Sequence, residues 1–243
     1  MREWQRYGLL ALMAPVLWLQ GAYVRKVTHR LPEPAGERSG VAGRGPQLRV
    51  LITGDSAAAG VGAESQETAL SGQLVAHLGQ HFTVTWRLAA VSGLDSRGML
   101  DLLEHFDTTK FDVVVMSMGV NDVTGLMSPS RWLRLQSQLA NEIQKRFEPS
   151  ILVHSALPPM ERFTALPQPL RWFMGSWAHE MNRLLKQSLT DSPNRLVHFP
   201  FLDRLPGGLA SDGFHPGPLA YAVWGQGLSR EIIGTLHARA KNV

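Results

Sequence analysis

Residues 48–62 read LRVLITGDSAAAGVG, and the rest of the chain falls into order around them. Val50, Leu51, Ile52 and Thr53 form an apolar run of strand length, and Gly54-Asp55-Ser56 ends it abruptly. A strand that ends this way leaves a serine hydroxyl at the carboxyl edge of a sheet, where open α/β sheets hold their ligands. The small residues Ala57, Ala58, Ala59 and Gly60 let another molecule approach the adjacent backbone. Taken alone, the stretch has plainer readings. Gly-Asp-Ser is a common turn in which Asp and Ser bond to neighbouring backbone. It is not a phosphate-binding loop, because no Gly-Lys-Ser/Thr follows. Nor is it a Gly-x-Ser-x-Gly elbow, because Ala58 stands where the second glycine belongs.

Downstream, strands and helices alternate. A helix is expected over Glu67–Leu78, where Leu70, Leu74 and Leu78 share a face, then a strand over Phe82–Leu88 and a short helix near Arg97–His105. Phe111–Met118 is a continuous apolar run suited to a central parallel strand. Ser128-Pro129 opens a helix in which Trp132, Leu135, Leu139, Ile143 and Phe147 recur at helical spacing. Further strands are expected over Ser150–Leu157 and Leu196–Phe199, and helices over 169–189 and Pro218–Ala238. This alternation predicts a parallel sheet of five strands with helices on both faces, in one domain over residues 47–243.

Composition narrows the function. The 243 residues carry a formal net charge of +4. Residues 1–49 hold eight Lys/Arg against three Asp/Glu, and the remaining residues hold sixteen against seventeen. The basicity therefore belongs to the leader, and the folded part has no electrostatic footprint for nucleic acid. There is no cysteine, which excludes disulfides, thiolate metal sites, a thiol nucleophile and a lipidated cysteine. No His, Asp or Glu cluster has metal-ligand spacing, so neither a metal nor another cofactor is implied.

The leader reads as a membrane anchor over residues 1–30. Gly8 to Val24 is uncharged, flanked by Arg2 and Arg6 before it and by Arg25, Lys26 and Arg30 after it, with Trp4, Tyr7, Trp18 and Tyr23 near its ends. Its length is the lower limit for a spanning helix, and Pro15 would kink it. The basic cluster after the apolar run weakly favours a cytoplasmic catalytic domain on a bacterial inner membrane. A cleaved signal peptide is the rival, and would place the mature protein in the periplasm or outside the cell. Residues 31–46, rich in Pro and Gly, read as a flexible tether.

Three further stretches fall at expected strand ends or before the last helix. These are Val91-Ser92-Gly93, Gly119-Val120-Asn121-Asp122 and Asp212-Gly213-Phe214-His215-Pro216. With Ser56 they bring a hydroxyl, a bare backbone amide, a side-chain amide and an Asp-His pair to one sheet edge. Acyl transfer needs that set of parts. In that order and at those intervals, the four blocks resemble the motif blocks of the SGNH (GDSL) hydrolase family. The resemblance covers residues 48 to about 240 and implies a flavodoxin-like α/β/α sandwich with esterase, lipase or related acyl hydrolase activity. The segments GDSAAAGVG, ALSGQL, VTWRLAAVSG and PPMERFTALPQPLRW resemble, more narrowly, the bacterial lipase/esterase subfamily associated with long-chain N-acyl amino acid gene clusters. Two departures are visible. Leu88-Ala89-Ala90 stands where many members have Asn-Ala-Gly, and Ala57 replaces the usual Leu after the serine.

The resemblance implies roles residue by residue. Ser56 is the nucleophile, His215 the proton carrier and Asp212 the group that orients the imidazole. The backbone N–H groups of Ser56 and Gly93 and the Asn121 amide would hold the oxyanion. Asp55 and Asp122 are expected to bond to backbone around their turns. His154 reads as a hydrogen-bonded core or rim residue rather than a second base. Met160, Phe163, Leu166, Trp172 and Phe173, crowded around prolines 158, 159 and 167, are part core and part candidate flap over an acyl groove. The expected substrate is a small-molecule or lipid ester of a medium- or long-chain acyl group. The same triad would also serve an acyltransferase or a polysaccharide O-acetyl esterase. A non-catalytic binding protein on this fold is the third alternative, and the intact Ser56, Asp212 and His215 speak against it. Nothing in the sequence sets the oligomeric state.

Overall fold

The computed structural model describes residues 3–107, 109–190, 192, 194–200 and 207–240, with the side chains of 3–7 and 9 excepted. Six strands, β1 (Ser39–Ala42), β2 (Gln47–Gly54), β3 (Thr83–Ala90), β4 (Val113–Ser117), β5 (Ile151–Ser155) and β6 (Arg195–His198), form one sheet in the order β1-β3-β2-β4-β5-β6. Strands β2 to β6 are mutually parallel and follow the flavodoxin-like order. The strand order reverses between β2 and β4, and the crevice beyond their carboxyl ends is where such a sheet binds its ligand.

The sixth strand corrects the expectation of five. β1 pairs antiparallel with β3, Ser39 opposite Arg87 and Ala42 opposite Val84, so part of the expected tether 31–46 belongs to the sheet. The pairing is extended by Leu88 N–H to the Arg38 carbonyl (2.7 Å). Backbone pairing makes this strand. Its side chains are small or exposed, Val41 being 67% exposed, so no apolar period marks it in the sequence.

The pleat of the central strands divides the core. Val50, Ile52, Val113, Val115, Ile151 and Val153 face α3 (Leu70–Leu78) and α8 (Pro218–Ala240), where they meet Leu70, Leu74, Leu78, Tyr221 and Leu228. Leu51, Val114, Met116 and Leu152 face α4 (Ser96–Glu104) and α6 (Pro129–Phe147), meeting Met99, Leu103, Leu139, Ile143 and Phe147. Ser128 caps α6 with its hydroxyl on the Arg131 N–H, and Pro129 occupies the first turn. Helix α3 starts at Leu70 rather than Glu67, because Ser65 and Thr68 close a hydrogen-bonded turn first. A third apolar cluster joins α7 (Leu170–Ser188) to the segment before it, through Met160, Phe163, Leu166, Phe173 and Trp177.

Helix α1 (Glu3–Val27) is docked on that third cluster. Leu17 is buried there, with Leu10, Met13 and Val24 packed around it. The Gln20 side chain donates to the Gln168 carbonyl (2.7 Å) and accepts from the Leu170 N–H (3.0 Å) at the start of α7. Among the described residues no helix is long and apolar enough to cross a membrane, so the expected spanning anchor finds no support. Of the expected interfacial aromatics, Trp18 and Tyr23 are exposed, while the side chains of Trp4 and Tyr7 lie outside the described residues.

Candidate active site

Two short helices start at the reversal point of the sheet. Helix α2 (Ser56–Ala59) follows β2, and α5 (Val120–Thr124), too short to show periodicity in the sequence, follows β4. Gly54 is required by proximity, since a Cβ there would stand 2.2 Å from the Ser117 carbonyl oxygen. Asp55 then donates its N–H to that carbonyl (3.1 Å) and caps α2 by accepting the Ala57 N–H (3.1 Å). Ser56 is thereby fixed as the first helical residue at the sheet edge. Of the neighbouring small residues only Ala57 lines the cavity beside Ser56, and the others serve the interior rather than making room for a visitor. Ala58 and Ala59 are fully buried, and Gly60 lies against Ala69 and Pro34.

His215 arrives from the loop before α8 and closes a chain of hydrogen bonds. Its Nε2 lies 2.9 Å from Ser56 Oγ, and its Nδ1 lies 2.6 Å from Asp212 Oδ2. Asp212 Oδ1 accepts the N–H groups of Phe214 (2.9 Å) and His215 (3.0 Å), so the same carboxylate folds the loop and aims the imidazole. Burial alone would raise the Asp212 pKa. Its hydrogen bonds from His215 and from the two backbone N–H groups outweigh that and hold it below the usual carboxylate value. With Asp212 ionised, the hydrogen-bond network assigns the proton to Nδ1 and leaves Nε2 free to accept from Ser56.

Gly93 and Asn121 follow β3 and β4, the two strands that pair with β2 on either side, and neither lines the cavity beside Ser56. The turn after β3 is tied to β2 by Val91 N–H on the Gly54 carbonyl (3.2 Å). Gly93 adopts φ +86°, a left-handed conformation that glycine adopts without strain, and the direction a Cβ would take is open space. Asn121 donates one amide N–H to the Leu94 carbonyl (2.8 Å), and among the described residues its second N–H has no partner.

The other titratable groups fall into supporting places. Asp122 bonds outside its own turn, to the N–H (3.2 Å) and hydroxyl (2.8 Å) of Ser96, and Gln136 completes the set on the Ser96 hydroxyl. Burial pushes its pKa up to about 6, against the Ser96 hydrogen bonds. Asp55 is pushed up to about 7, chiefly by burial. His154 is buried in the core with neither ring nitrogen hydrogen-bonded among the described residues, and burial lowers its pKa to about 4. It is a core histidine, without the expected hydrogen bonds. Among the described residues no group of His, Asp or Glu is arranged to hold a metal ion.

A cavity of about 520 Å³ opens beside Ser56 and His215. Val120, Leu157, Phe163, Leu209 and Phe214 stand on its apolar wall, and Ser155 and Trp224 also line it. Of the five expected substrate contacts only Phe163 reaches it. Met160, Leu166 and Phe173 are buried in the cluster behind the wall, and Trp172 is exposed and away from the cavity. Sequence reading missed Leu157, Leu209 and Phe214. For Phe214 a signal existed, since it lies between Asp212 and His215.

A hydroxyl, an imidazole and a buried carboxylate in hydrogen-bonded series, at the reversal point of a parallel sheet, have the geometry of a serine hydrolase. The family model of the GDSL-like Lipase/Acylhydrolase family matches residues 52–223, and the chain belongs to that family. No curated protein matches the chain. Solved structures share its fold. The lipase Lip_vut3 from a goat rumen metagenome is 20% identical, over 75% of this chain and 96% of its own, with a TM-score of 0.58. A member of the lipolytic G-D-S-L family from Veillonella parvula is 12% identical, over 75% and 96%, with a TM-score of 0.62. The acetylxylan esterase Axe2 from Geobacillus stearothermophilus is 17% identical, over 77% and 95%, with a TM-score of 0.57. The protein is a carboxylic ester hydrolase with the SGNH hydrolase fold.

Proposed function

We propose that this esterase cleaves medium- or long-chain acyl esters through a Ser56-His215-Asp212 triad and an acyl-enzyme. Ser56 Oγ attacks the ester carbonyl while His215 Nε2 takes the hydroxyl proton, and Asp212 stabilises the imidazolium. The carbonyl oxygen, now negative, receives hydrogen bonds from the Ser56 and Gly93 N–H groups and the free Asn121 N–H. Collapse of the tetrahedral species breaks the bond to the alkoxy oxygen, which leaves as the alcohol with the proton from His215. Water then repeats the sequence on the acyl-enzyme, releasing the acid and restoring Ser56. The observation that carries this reading is the relay itself, 2.9 Å from Ser56 to His215 and 2.6 Å from His215 to Asp212.

The acyl preference rests on the cavity. Its volume of about 520 Å³ and its wall of Val120, Leu157, Phe163, Leu209 and Phe214 suit a hydrocarbon chain better than an acetyl group. A series of p-nitrophenyl esters from acetate to palmitate tests this. kcat/KM is expected to rise from acetate to a medium chain. A maximum at acetate would favour an acetyl esterase, the activity named for Axe2.

The chain is proposed to work at a membrane surface through α1. Leu12, Trp18, Leu19 and Tyr23 are exposed on it, and Arg25, Lys26 and Arg30 follow as a cationic patch suited to anionic headgroups.

A further inference from the structure

The N-terminal segment reaches the turn that carries Gly93. Glu33 Oε1 accepts from the Ser92 hydroxyl (2.6 Å) and the Ser92 N–H (3.0 Å), while its Oε2 accepts from Arg38 Nη1 (2.8 Å). Arg38 also donates to the carbonyl of Ala90, the last residue of β3. Hydrogen bonds from Ser92 and Arg38 outweigh burial and hold the Glu33 pKa below the usual carboxylate value, so the clamp is charged at neutral pH. The segment is itself fastened to the domain. Gln66 N–H donates to the Ala35 carbonyl (2.9 Å), and β1 follows at once along β3.

Gly93 therefore sits between two held neighbours. Ser92 is gripped by Glu33 from one side, and Leu94 by Asn121 from the other. Gly93 itself has no side chain, a positive φ and open space beside it, so nothing of its own fixes its N–H. Loss of either grip would let the peptide plane between Ser92 and Gly93 rotate. A donor displaced by about 1 Å costs catalysis far more than it costs stability.

We infer that Glu33, supplied by the segment before the parallel sheet and braced by Arg38, is a positioning residue that holds the Gly93 N–H on the oxyanion. The inference rests on the reading of Gly93 as an oxyanion donor and adds the group that sets it. Glu33 touches no substrate. It acts on the transition state through Ser92, so its loss lowers kcat and leaves KM nearly unchanged.

The test is steady-state kinetics of Glu33→Ala, Glu33→Gln and Asn121→Ala in the full-length protein, with a p-nitrophenyl ester and with thermal midpoints measured alongside. Glu33→Ala is expected to lower kcat on the order of tenfold with KM within about twofold. Glu33→Gln, which keeps an acceptor for Ser92, should recover part of that loss. An unchanged kcat in Glu33→Ala beside a large loss in Asn121→Ala would overturn the clamp and leave Asn121 standing as an oxyanion donor. Unchanged kcat in both would remove the assignment and the clamp together. If Glu33→Ala fails to fold, Ser92→Ala takes its place, since it deletes only the 2.6 Å contact. A kcat equal to wild type in that variant would overturn the hydroxyl half of the clamp, and with it the proposal if Arg38→Ala is equally silent.

Discussion

Asn121 and Leu94 are joined by a hydrogen bond of 2.8 Å from the side-chain amide to the backbone carbonyl. It fixes the amide plane, so the remaining N–H points in a set direction before substrate binds. It also ties the start of α5 to the turn that carries Gly93.

Asn121→Ala should therefore reduce kcat by about 10²–10³ with a smaller change in KM, because the amide bonds best to charge that develops in the transition state. Asn121→Asp should be no better, since an ionised carboxylate at this place repels the oxyanion. A variant altered in KM alone would make Asn121 a substrate-binding residue.

Two buried carboxyls near the triad make stability depend on pH. Asp55 is raised to about 7 and Asp122 to about 6 from an ordinary 3.8. Folded-state pKa values above the unfolded ones mean that the folded protein binds more protons between them. The stabilisation is thus complete below about pH 4 and is lost as pH rises through about 6–7, at up to about 1.4 kcal/mol per pH unit for each group. Asp55→Asn keeps an acceptor for the Ala57 N–H and removes one of these titrations. Its thermal midpoint, measured from pH 5 to pH 8, should fall less than that of wild type. Parallel curves would show that Asp55 does not titrate in this range.

How much of this the sequence reveals depends on what kind of contact makes each feature. β4 and β5 are buried at every position, and their apolar runs Val113–Met116 and Ile151–Val153 are plain to read. Ser56, Asp212 and His215 are legible only through the four motif blocks together, since each block alone reads as an ordinary turn. β1 is invisible because backbone pairing on the rim of β3 makes it, with no apolar side chain to mark it. Glu33 is invisible for a related reason, because its partner Ser92 is 59 residues away and both are ordinary polar residues outside helices and strands. The cavity wall drew Phe163 but missed Leu157 and Leu209, which only the return of separate loops brings together.

The two N-terminal pieces should separate by truncation. A chain starting at residue 31 loses α1 and keeps Glu33, Arg38 and β1. It should hydrolyse a soluble ester at near the full-length rate but fail to float with anionic phospholipid vesicles. A chain starting at residue 47 also loses the clamp, and its kcat should fall on the order of tenfold. Equal activity in both truncations would show that residues 31–46 do not support the site. Vesicle binding by the chain starting at 31 would place the lipid contact elsewhere.

In the proposed reaction Ser56, activated by His215, is the nucleophile. The most direct test is reaction with a p-nitrophenyl alkylphosphonate, followed by peptide mass spectrometry and timed release of p-nitrophenol. One equivalent of p-nitrophenol should be released, with the phosphonyl group on the peptide that contains Ser56. Ser56→Ala should take up no label, and His215→Ala should react slower by orders of magnitude. A phosphonyl group on any other residue, or full labelling of Ser56→Ala, would show that Ser56 is not the nucleophile.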